Sequence, residues 1–520
     1  MKFNLSKAQK KYLYLLIGLF VISLSIRLYF AFQSPHFTGE SAYFNLRQIE
    51  HIRETGIPLF EDSLSYSGRF FMFAPLFHYI LSFFSLFFGT FLTAKILPNI
   101  FAATFVFIAY LIAYEIMGNR RDSLITAFIC SFIPIYIAET VNSVSVYSLS
   151  VPLFFLLIYF FLKVSQSKKY IYYFVLLCFI VPLVSPIIFF LIIGLLLYLV
   201  FMRLEYKNTN WLELELILFA TFFVIWFEFI FFKNAFLFHG YAVIWQNFPH
   251  QILFSYFKDT SILEAFTTVG ILPFVLGVFS MYKCMLKDKD KKVYLLRSFV
   301  FAITILLWLK LVRLELGLIL LSLFLSILAG PAYRFLISYF EQTKFAFFKK
   351  VFIATLLIIF ILTSVLACFA FSSKKMDNAL SEEEFEAFEW IKQNTPKDSV
   401  ILSTLGEGQF IASISNRKNV GDMNFLLIKD SSVYFDDIKG MYSFLFKSEA
   451  LELLQKYSVD YIYFSDHTKF DYDIKKIKYV DKECFPLVYE SESIPAEVEL
   501  ATTNNSIIDI KIYEVKCKFG

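Results

Sequence analysis

Charged residues are scarce in this sequence. Asp, Glu, Lys and Arg make up 18% of its 520 residues, whereas soluble globular proteins average about 25%. An ordinary soluble enzyme is therefore excluded. The formal net charge of +4 is too small on a chain of this length to indicate a nucleic-acid partner, so none is expected.

The sequence also has few cysteines and lacks several common catalytic motifs. The six cysteines form no Cys-x-x-Cys pair, which argues against a zinc or redox motif. The composition of the chain excludes a disulfide scaffold. The sequence has no HExxH motif, nucleophile elbow or P-loop. It shows no internal repeat between its halves and few charges inside its apolar runs, which argues against a transporter with an ion pathway.

Long apolar runs dominate what is present. Hydrophobic residues make up 58% of the chain, and 68 residues are Phe. Runs of about 20 apolar residues are long enough to cross roughly 30 Å of hydrocarbon as α-helices. The sequence therefore predicts a polytopic α-helical membrane protein with about eleven spans: 12–31, 94–117, 123–138, 147–163, 170–185, 186–202, 211–231, 265–283, 294–310, 314–333 and 350–371.

The composition changes abruptly after residue 371. We expect residues 1–371 to form the transmembrane domain, with external loops at 33–73 and 233–264. Residues 372–520 have ordinary charge density and the size of one soluble domain. Periodicity predicts an α/β fold for this domain, with helices over 382–393 and 448–457 and strands over 399–403, 461–464 and 507–513.

The placement of Lys and Arg predicts the orientation. Links rich in basic residues alternate with links that are nearly free of them, and basic links face the cytoplasm. The two kinds of link separate onto opposite sides only if the apolar stretch 74–89 does not span. We therefore expect 74–89 to be an interfacial or re-entrant helix on the outer side. The N-terminus is then cytoplasmic and the C-terminal domain extracytoplasmic.

Glu40 is a candidate catalytic residue near the outer membrane surface. It follows a glycine shortly after the first span, and Tyr43, Arg47 and Glu50 continue from it at helical spacing. A carboxylate held there could act as a general base or bind a divalent cation that neutralises a phosphate. The alternative is an acid that only caps a helix N-terminus.

Three further charged residues fall at predicted outer span ends. Glu139, with Asn142 nearby, could be a second metal or substrate group, or could only mark the interface. Glu264 lies at or just inside the outer leaflet, where it could bind substrate or simply favour a helix N-terminus. Arg313 suits bidentate binding of a lipid phosphate, and its alternative is snorkelling to headgroups.

Several short motifs match motifs of one known family, and they occur in the same order as in that family along most of the chain. They are Glu40-Ser-Ala-Tyr-Phe-Asn-Leu-Arg47, Phe73-Ala-Pro-Leu-Phe77, Ser261-Ile-Leu-Glu264, Val312-Arg-Leu314 and Trp390-Ile-Lys-Gln-Asn-Thr-Pro396. Together they resemble motifs of the GT-C superfamily of polyprenyl-phosphate-dependent membrane glycosyltransferases. The likeness is greatest to the catalytic subunit of archaeal and bacterial oligosaccharyltransferases.

The resemblance implies roles for these residues. Glu40 corresponds to the acidic first-loop position, as catalytic base or metal ligand. Glu139 is the remaining second-loop acid, so Glu40 and Glu139 would hold Mg²⁺ or Mn²⁺ if the metal is retained. Arg47, Glu264 and Arg313 would bind substrate. The implied partners are a polyprenyl-phosphate-linked sugar donor, membrane lipids, and a glycan or protein acceptor that the sequence does not identify.

The sequence departs from the family at its acceptor-reading motif. The Trp-Trp-Asp-Tyr-Gly signature would fall on Thr404-Leu-Gly-Glu-Gly408, where only Gly408 is kept. These departures imply another acceptor, reduced metal dependence or lost activity. The predicted function is transfer of a sugar or glycan from a polyprenyl-phosphate-linked donor to an acceptor on the outer face of the membrane. The alternatives are a non-catalytic membrane protein, as a transporter or degenerate glycan binder, and a divergent protein N-glycosylation oligosaccharyltransferase.

Overall fold

The computed structural model describes residues 7–205, 210–258, 261–286, 290–344, 346–491 and 509–518. Helices dominate the first half of the chain because apolar residues there run without interruption by β-like alternation. The helices up to residue 231 are α1 Lys7–Ala31, α2 Glu40–Thr55, α3 Leu76–Phe88, α4 Thr90–Ala103, α5 Phe105–Met117, α6 Arg120–Ser131, α7 Pro134–Ala138, α8 Tyr147–Lys163, α9 Lys169–Val184, α10 Phe189–Leu204 and α11 Trp211–Phe231.

The remaining helices and the strands complete the element order. The helices are α12 Lys233–His239, α13 His250–Lys258, α14 Ile262–Val269, α15 Ile271–Leu286, α16 Lys291–Trp308, α17 Leu314–Glu341, α18 Lys349–Phe360, α19 Leu366–Asp377, α20 Glu382–Asn394, α21 Gly408–Phe410, α22 Ser431–Ser443, α23 Lys447–Lys456 and α24 Asp466–Tyr472. The strands are β1 Glu61–Asp62, β2 Arg69–Phe70, β3 Val400–Leu402, β4 Lys418–Asn419, β5 Tyr461–Phe464, β6 Leu487–Glu490 and β7 Lys511–Glu514.

Two compact units share these elements. The first, here called the membrane unit, comprises Met1–Pro35, Phe73–Lys233 and Ser255–Asp377. The second, the sheet unit, comprises His36–Met72, Asn234–Phe254 and Asn378–Gly520. The predicted division into 1–371 and 372–520 stays a prediction, and helix α19 continues past that point to Asp377.

The membrane unit confirms the predicted class of polytopic helical membrane protein. Among the described residues, seven helices are long and apolar enough to cross a bilayer, or eight if a pair bent by 87° at Gly270 is one span. The prediction of about eleven also included three weaker segments. Helix α9 has only 16 residues, α6 and α7 are separated just before Pro134, and α16 carries three basic residues.

Close helix packing brings the membrane unit together around α17. The most apolar 18-residue window of α17 is 78% buried, which makes it the central helix of the unit. Helix α15 packs directly on it, since a Cβ on Gly277 would lie 2.6 Å from the carbonyl oxygen of Leu325. Small residues at such crossings let helix backbones approach closely.

Helix α3 matches the predicted short segment at 74–89. It has 13 residues, so it is about 20 Å long at roughly 1.5 Å per residue. This is shorter than the roughly 30 Å of a bilayer core. Its placement at the outer interface stays a prediction.

The sheet unit has the predicted α/β character. Its five-stranded sheet has the order β4-β3-β5-β7-β6, with β4, β3 and β5 parallel and β7 antiparallel to both neighbours. The predicted elements at 382–393, 399–403, 448–457 and 461–464 are α20, β3, α23 and β5. The predicted strand at 507–513 is β7, shifted to Lys511–Glu514; residues 507 and 508 lie outside the described residues.

Local sequence explains several of these boundaries. Ser381 and Glu384 form a reciprocal capping box that starts α20, and Ser465 with Thr468 does the same for α24.

A disulfide joins Cys484 to Cys517 and so ties the segment before β6 to the segment after β7. The sequence offered no basis for pairing these two cysteines.

Candidate functional site

Four charged side chains of the membrane unit and one tyrosine gather where α7, α8, α17 and α19 begin or end. This group, here called the α17 cluster, consists of Glu139, Tyr147, Arg313, Glu315 and Lys375. Tyr147 lies within electrostatic reach of Arg313, Glu315 and Glu139, and Glu315 lies within reach of Glu139, Arg313 and Lys375. The structure thus brings together Glu139 and Arg313, two of the predicted site residues.

Arg313 is positioned by the turn between α16 and α17. Lys310 adopts φ 54°, a left-handed conformation that turns the chain after α16. Arg313 is then the N-cap of α17, and its side chain is exposed. An exposed guanidinium beside the positive end of a 28-residue helix is suited to bind an anion such as a phosphate.

Glu139 caps the C-terminus of α7 and is paired with a lysine. The Nζ atom of Lys375 lies 3.1 Å from each carboxylate oxygen of Glu139. Both side chains are partly buried, at 31% exposure for Lys375 and 25% for Glu139. The carboxylate is therefore neutralised by a neighbour from α19 that the sequence analysis did not single out.

The segment after Glu139, here called the Glu139 loop (residues 139–146), has a constrained backbone. Asn142 and Val144 adopt φ angles of 56° and 46°, in the left-handed region. Asn tolerates this region, but a β-branched residue such as Val is strained there. Both residues are buried. Strain of this kind persists only where the surroundings impose it, and it is common at functional sites.

Glu264 lies in the first turn of α14, in the membrane unit. Its backbone N–H donates to the Oγ atom of Ser261, 3.1 Å away, so Ser261 caps the helix. This position fits the alternative reading, in which the acid favours the helix N-terminus. Helix α14 packs against α7 and α19, which carry Glu139 and Lys375. The predicted substrate role of Glu264 stays a prediction.

Glu40 and Arg47 belong to the sheet unit and share helix α2. Glu40 is the first residue of α2, after Gly39 with φ 78°. Arg47 makes a bidentate ion pair with the buried carboxylate of Asp62, at 3.0 and 2.8 Å. This pair holds α2 to the segment that carries β1. The predicted roles of Glu40 and Arg47 stay predictions.

A buried network around Asp422 organises the sheet unit behind α2. Its carboxylate accepts hydrogen bonds from Ser65 Oγ at 2.6 Å and Gln409 Nε2 at 2.7 Å, and Arg69 lies 3.8 Å away. Gln409 Oε1 in turn lies 3.5 Å from Arg47. A buried carboxylate needs such partners. The network therefore links the first loop to the region that follows Gly408.

Glu407 sits where the family signature would fall, and its side chain points into the core. It is only 3% exposed. Its carboxylate accepts hydrogen bonds from the backbone N–H of Thr404 at 3.1 Å, from Thr404 Oγ1 at 2.8 Å and from Ser465 Oγ. Burial raises the pKa of Glu407 to about 7. The carboxylate of Glu407 is therefore bound by hydrogen bonds within the sheet unit.

Glu139, the predicted metal ligand of the membrane unit, already has a cation beside it. Mg²⁺ and Mn²⁺ prefer several carboxylate, carbonyl or water oxygens, whereas the Glu139 carboxylate is already bound by Lys375. Among the residues that the structure describes, no group of three or more His, Cys, Asp or Glu side chains could hold a metal.

These features define a membrane protein of the GT-C fold, the fold that the sequence motifs predicted. The chain is similar to the oligosaccharyltransferase of Archaeoglobus fulgidus in its apo form, with a TM-score of 0.68 and 14% identity over 88% of this chain and 70% of that chain. It is also similar to ArnT from Cupriavidus metallidurans bound to undecaprenyl phosphate, with a TM-score of 0.58 and 10% identity over 96% and 97%. At these identities the likeness concerns the fold.

Part of the chain also resembles a curated protein in sequence. Dolichyl-phosphooligosaccharide-protein glycotransferase 2 of Archaeoglobus fulgidus is 34% identical over 135 residues, which are 24% of this chain and 23% of that protein. The match thus spans about a quarter of the relative's length. Comparison with models of protein families found no match. Other structures of the archaeal oligosaccharyltransferase contain zinc and sulfate, or an inhibitory peptide and dolichol-phosphate.

The structure also adds residues that the sequence did not indicate. Tyr147, Glu315 and Lys375 complete the α17 cluster, and each lies in or beside an apolar helix. Glu315 could have been found by its position two residues after Arg313. Lys375 could not have been found, because only the packing of α19 against α7 brings it to Glu139.

Proposed function

We propose that the protein transfers a sugar or glycan from a polyprenyl-phosphate-linked donor to an acceptor on the outer face of the membrane. The α17 cluster is the observation that carries this proposal. It combines an exposed guanidinium, a helix N-terminus and a second cation at the ends of membrane helices. A lipid-linked phosphate would meet such groups while its tail stays among apolar helices.

Positive charge matters in this reaction because the leaving group is a phosphate. When the sugar departs, negative charge grows on the phosphate oxygens, and fixed cations stabilise that charge. Arg313 is proposed to bind the phosphate in bidentate fashion, which its planar guanidinium permits. Glu315 and Glu139 would hold Arg313 and Lys375 in place and keep the cluster from carrying a large excess of charge.

Glu40 is proposed as the base that removes a proton from the acceptor. A phosphate leaves without help from a general acid, so one carboxylate acting as a base is enough and a second carboxylate beside it is not required. Its position at the start of α2, behind a glycine with positive φ, gives it a defined backbone setting. Arg47, paired with Asp62, is proposed to position α2 for substrate binding.

The acceptor is proposed to differ from the Asn-x-Ser/Thr sequon. In the signature region, Thr404 and Glu407 bond to each other and Glu407 is buried, so this stretch offers no free carboxylate for an acceptor hydroxyl. It also lacks the paired indoles of the family signature. A different glycan or protein group is the proposed acceptor.

The proposed orientation places the N-terminus in the cytoplasm and the sheet unit outside. The distribution of Lys and Arg supports it. The disulfide between Cys484 and Cys517 supports it independently, because disulfides persist in oxidising compartments and are rare in the cytosol. The Mg²⁺ or Mn²⁺ that Glu40 and Glu139 would hold if a metal were retained is not part of this proposal.

The test is to incubate membranes that contain the protein with labelled polyprenyl-phosphate-linked sugars and to identify what becomes labelled. We expect label to move from the lipid to an acceptor, and to do so far more slowly in membranes with Arg313→Ala. Membranes with Lys374→Met provide the control, since Lys374 is an exposed neighbour of Lys375 on α19. Label that stays on the lipid in every membrane would refute the proposal. Labelled sequon peptides would refute its acceptor part.

A further inference from the structure

Three basic side chains from three helices hold the oxygens of the Glu139 loop. Arg27 of α1 donates to Thr140 Oγ1 at 2.7 Å, and Lys95 of α4 donates to Asn142 Oδ1 at 2.5 Å. Lys375 of α19 binds the Glu139 carboxylate. All six residues belong to the membrane unit.

Lys95 is bound much as a metal ion would be. Its ammonium has three N–H donors, and three oxygens accept them: Asn142 Oδ1 at 2.5 Å, the carbonyl of Ala31 at 2.8 Å and the carbonyl of Ser34 at 2.9 Å. The side chain of Lys95 is fully buried. A buried charge is stable only with partners of this kind. The ammonium is therefore fixed in place and occupies the side-chain oxygen of Asn142.

Lys375 occupies the carboxylate of Glu139 in the same way. Its Nζ atom is equidistant from the two oxygens of Glu139, the position from which a cation binds a carboxylate bidentately. A divalent ion at Glu139 would have to displace this ammonium or lie close to it. The ammonium would repel such an ion, because both carry positive charge and lie close together.

The two lysine sites are adjacent. Asn142 Nδ2 lies 3.6 Å from the sulfur of Met376, and Met376 follows Lys375 in α19. Arg27 completes the arrangement, with its guanidinium 4.9 Å from the ring centroid of Tyr136 just before the loop. The Glu139 loop thus contains one carboxylate. The side-chain oxygens of Glu139, Thr140 and Asn142 are already bound by fixed cations.

We propose that Lys95 and Lys375, supported by Arg27, take the place of a divalent cation at the Glu139 loop, so that this loop binds no divalent metal. The positive charge of the site is then part of the protein. The catalytic use of that charge rests on the proposed function, whereas the metal-binding behaviour does not.

The test measures Mn²⁺ binding to the purified full-length protein by electron paramagnetic resonance, after chelation and removal of the chelator. We expect the wild-type protein to have no Mn²⁺ site that depends on Glu139. The amount of Mn²⁺ bound should therefore be the same in the wild type and in Glu139→Gln. Lys375→Glu places a second carboxylate beside Glu139 and should create an Mn²⁺ site, with a Kd of about 10⁻⁴–10⁻³ M, the range of weak extracellular cation sites. Lys374→Glu makes the same charge change one residue earlier and should create none.

Two results would overturn the proposal. One is Mn²⁺ bound to the wild-type protein and lost in Glu139→Gln. The other is a folded Lys375→Glu variant that gains no Mn²⁺ site. If Lys375→Glu does not fold, Lys375→Met replaces it, because removal of the ammonium should also uncover Glu139 for Mn²⁺. No transfer assay enters these measurements, so their failure is distinct from failure of the proposed function.

Discussion

Glu40 begins α2 directly after Gly39, whose φ of 78° few other residues adopt readily. Such a position suits either a catalytic acid or an acid that only favours the helix N-terminus. The two roles predict different effects on transfer and on stability when the charge is removed. A base is needed for transfer, whereas a capping acid contributes only to stability.

Glu40→Gln keeps the size of the side chain and removes its charge. We expect transfer to fall by about 10²–10⁴-fold, the usual contribution of a general base. Stability should change by no more than the typical contribution of an acid in the first turn of a helix, about 0.3–1 kcal/mol. The measurement is the initial rate of sugar transfer, together with the apparent melting temperature. Glu50→Gln, an exposed position on the same helix, is the control, and equal activity in both variants would make Glu40 a capping acid.

Glu407 predicts a pH dependence of stability. Its pKa is raised from about 4.5 to about 7, chiefly by burial, so the folded state favours the protonated carboxyl. The stability that this group contributes is complete below pH 4.5 and is lost as the pH rises through about 7. At roughly 1.4 kcal/mol per pH unit the loss is about 3 kcal/mol. Hydrogen bonding to Glu384 raises the pKa of His467 to about 9, which acts in the same direction above pH 6.5.

Glu407→Gln should therefore flatten the pH profile. The measurement is the apparent melting temperature of the purified protein between pH 5 and 8, a window that brackets the raised pKa. The wild type should lose stability across this range, and the variant should lose less, with the difference arising between pH 5 and 7, because His467 still titrates above pH 6.5. Glu383→Gln, at an exposed position in the first turn of α20, should follow the wild type. A variant profile parallel to that of the wild type would show that Glu407 is not the titrating group.

Elements were predictable from sequence where one local signal decided them. Glu382–Asn394 has a capping box and helical periodicity, and Tyr461–Phe464 is a short apolar strand. The membrane spans were harder to predict, since α7 is separated from α6 before Pro134 and is only five residues long.

Glu139 and Arg313 could be predicted as site residues because each is an isolated charge at the end of an apolar run. Lys95 could not, because it lies inside an apolar helix and its partners come from other parts of the chain.

The disulfide gives a prediction at the scale of elements. Cys484 and Cys517 are 33 residues apart, and loss of a link of that length costs about 3–4 kcal/mol by loop-closure entropy. Cys484→Ser with Cys517→Ser should thus lower the apparent melting temperature. Thiol labelling of the denatured wild type should gain two sites after reduction. An equal number of labelled thiols with and without reductant would contradict the pairing.

The whole molecule has a predicted sidedness. If basic links face the cytoplasm, the sheet unit lies outside. Protease added to intact cells should therefore cut residues 378–520, and protease added to inverted vesicles should cut them only after detergent opens the membrane. The cut fragments can be followed with an epitope at the C-terminus. Cleavage from the cytoplasmic face of sealed vesicles would reverse the orientation and remove the basis of the site assignment.

Fold and function are separate claims for the whole molecule. The fold is shared with the archaeal oligosaccharyltransferase and with ArnT at 14% and 10% sequence identity, and a shared fold alone does not establish a reaction. The α17 cluster adds chemistry of this chain, because its Arg313 guanidinium is exposed at a helix N-terminus, a setting that suits a phosphate. The central claim is therefore that the protein uses a lipid-linked phosphate donor.

That claim is tested most directly by the release of lipid phosphate from a defined donor. Purified protein in lipid nanodiscs is given a polyprenyl-phosphate-linked sugar and a membrane extract as the source of acceptor, and the freed polyprenyl phosphate is measured over time. We predict release by the wild type, an intermediate rate for Arg313→Lys, which keeps charge but loses bidentate geometry, and the slowest release for Arg313→Ala. Release that does not differ between the wild type and Arg313→Ala, or no release from any donor, would contradict the account.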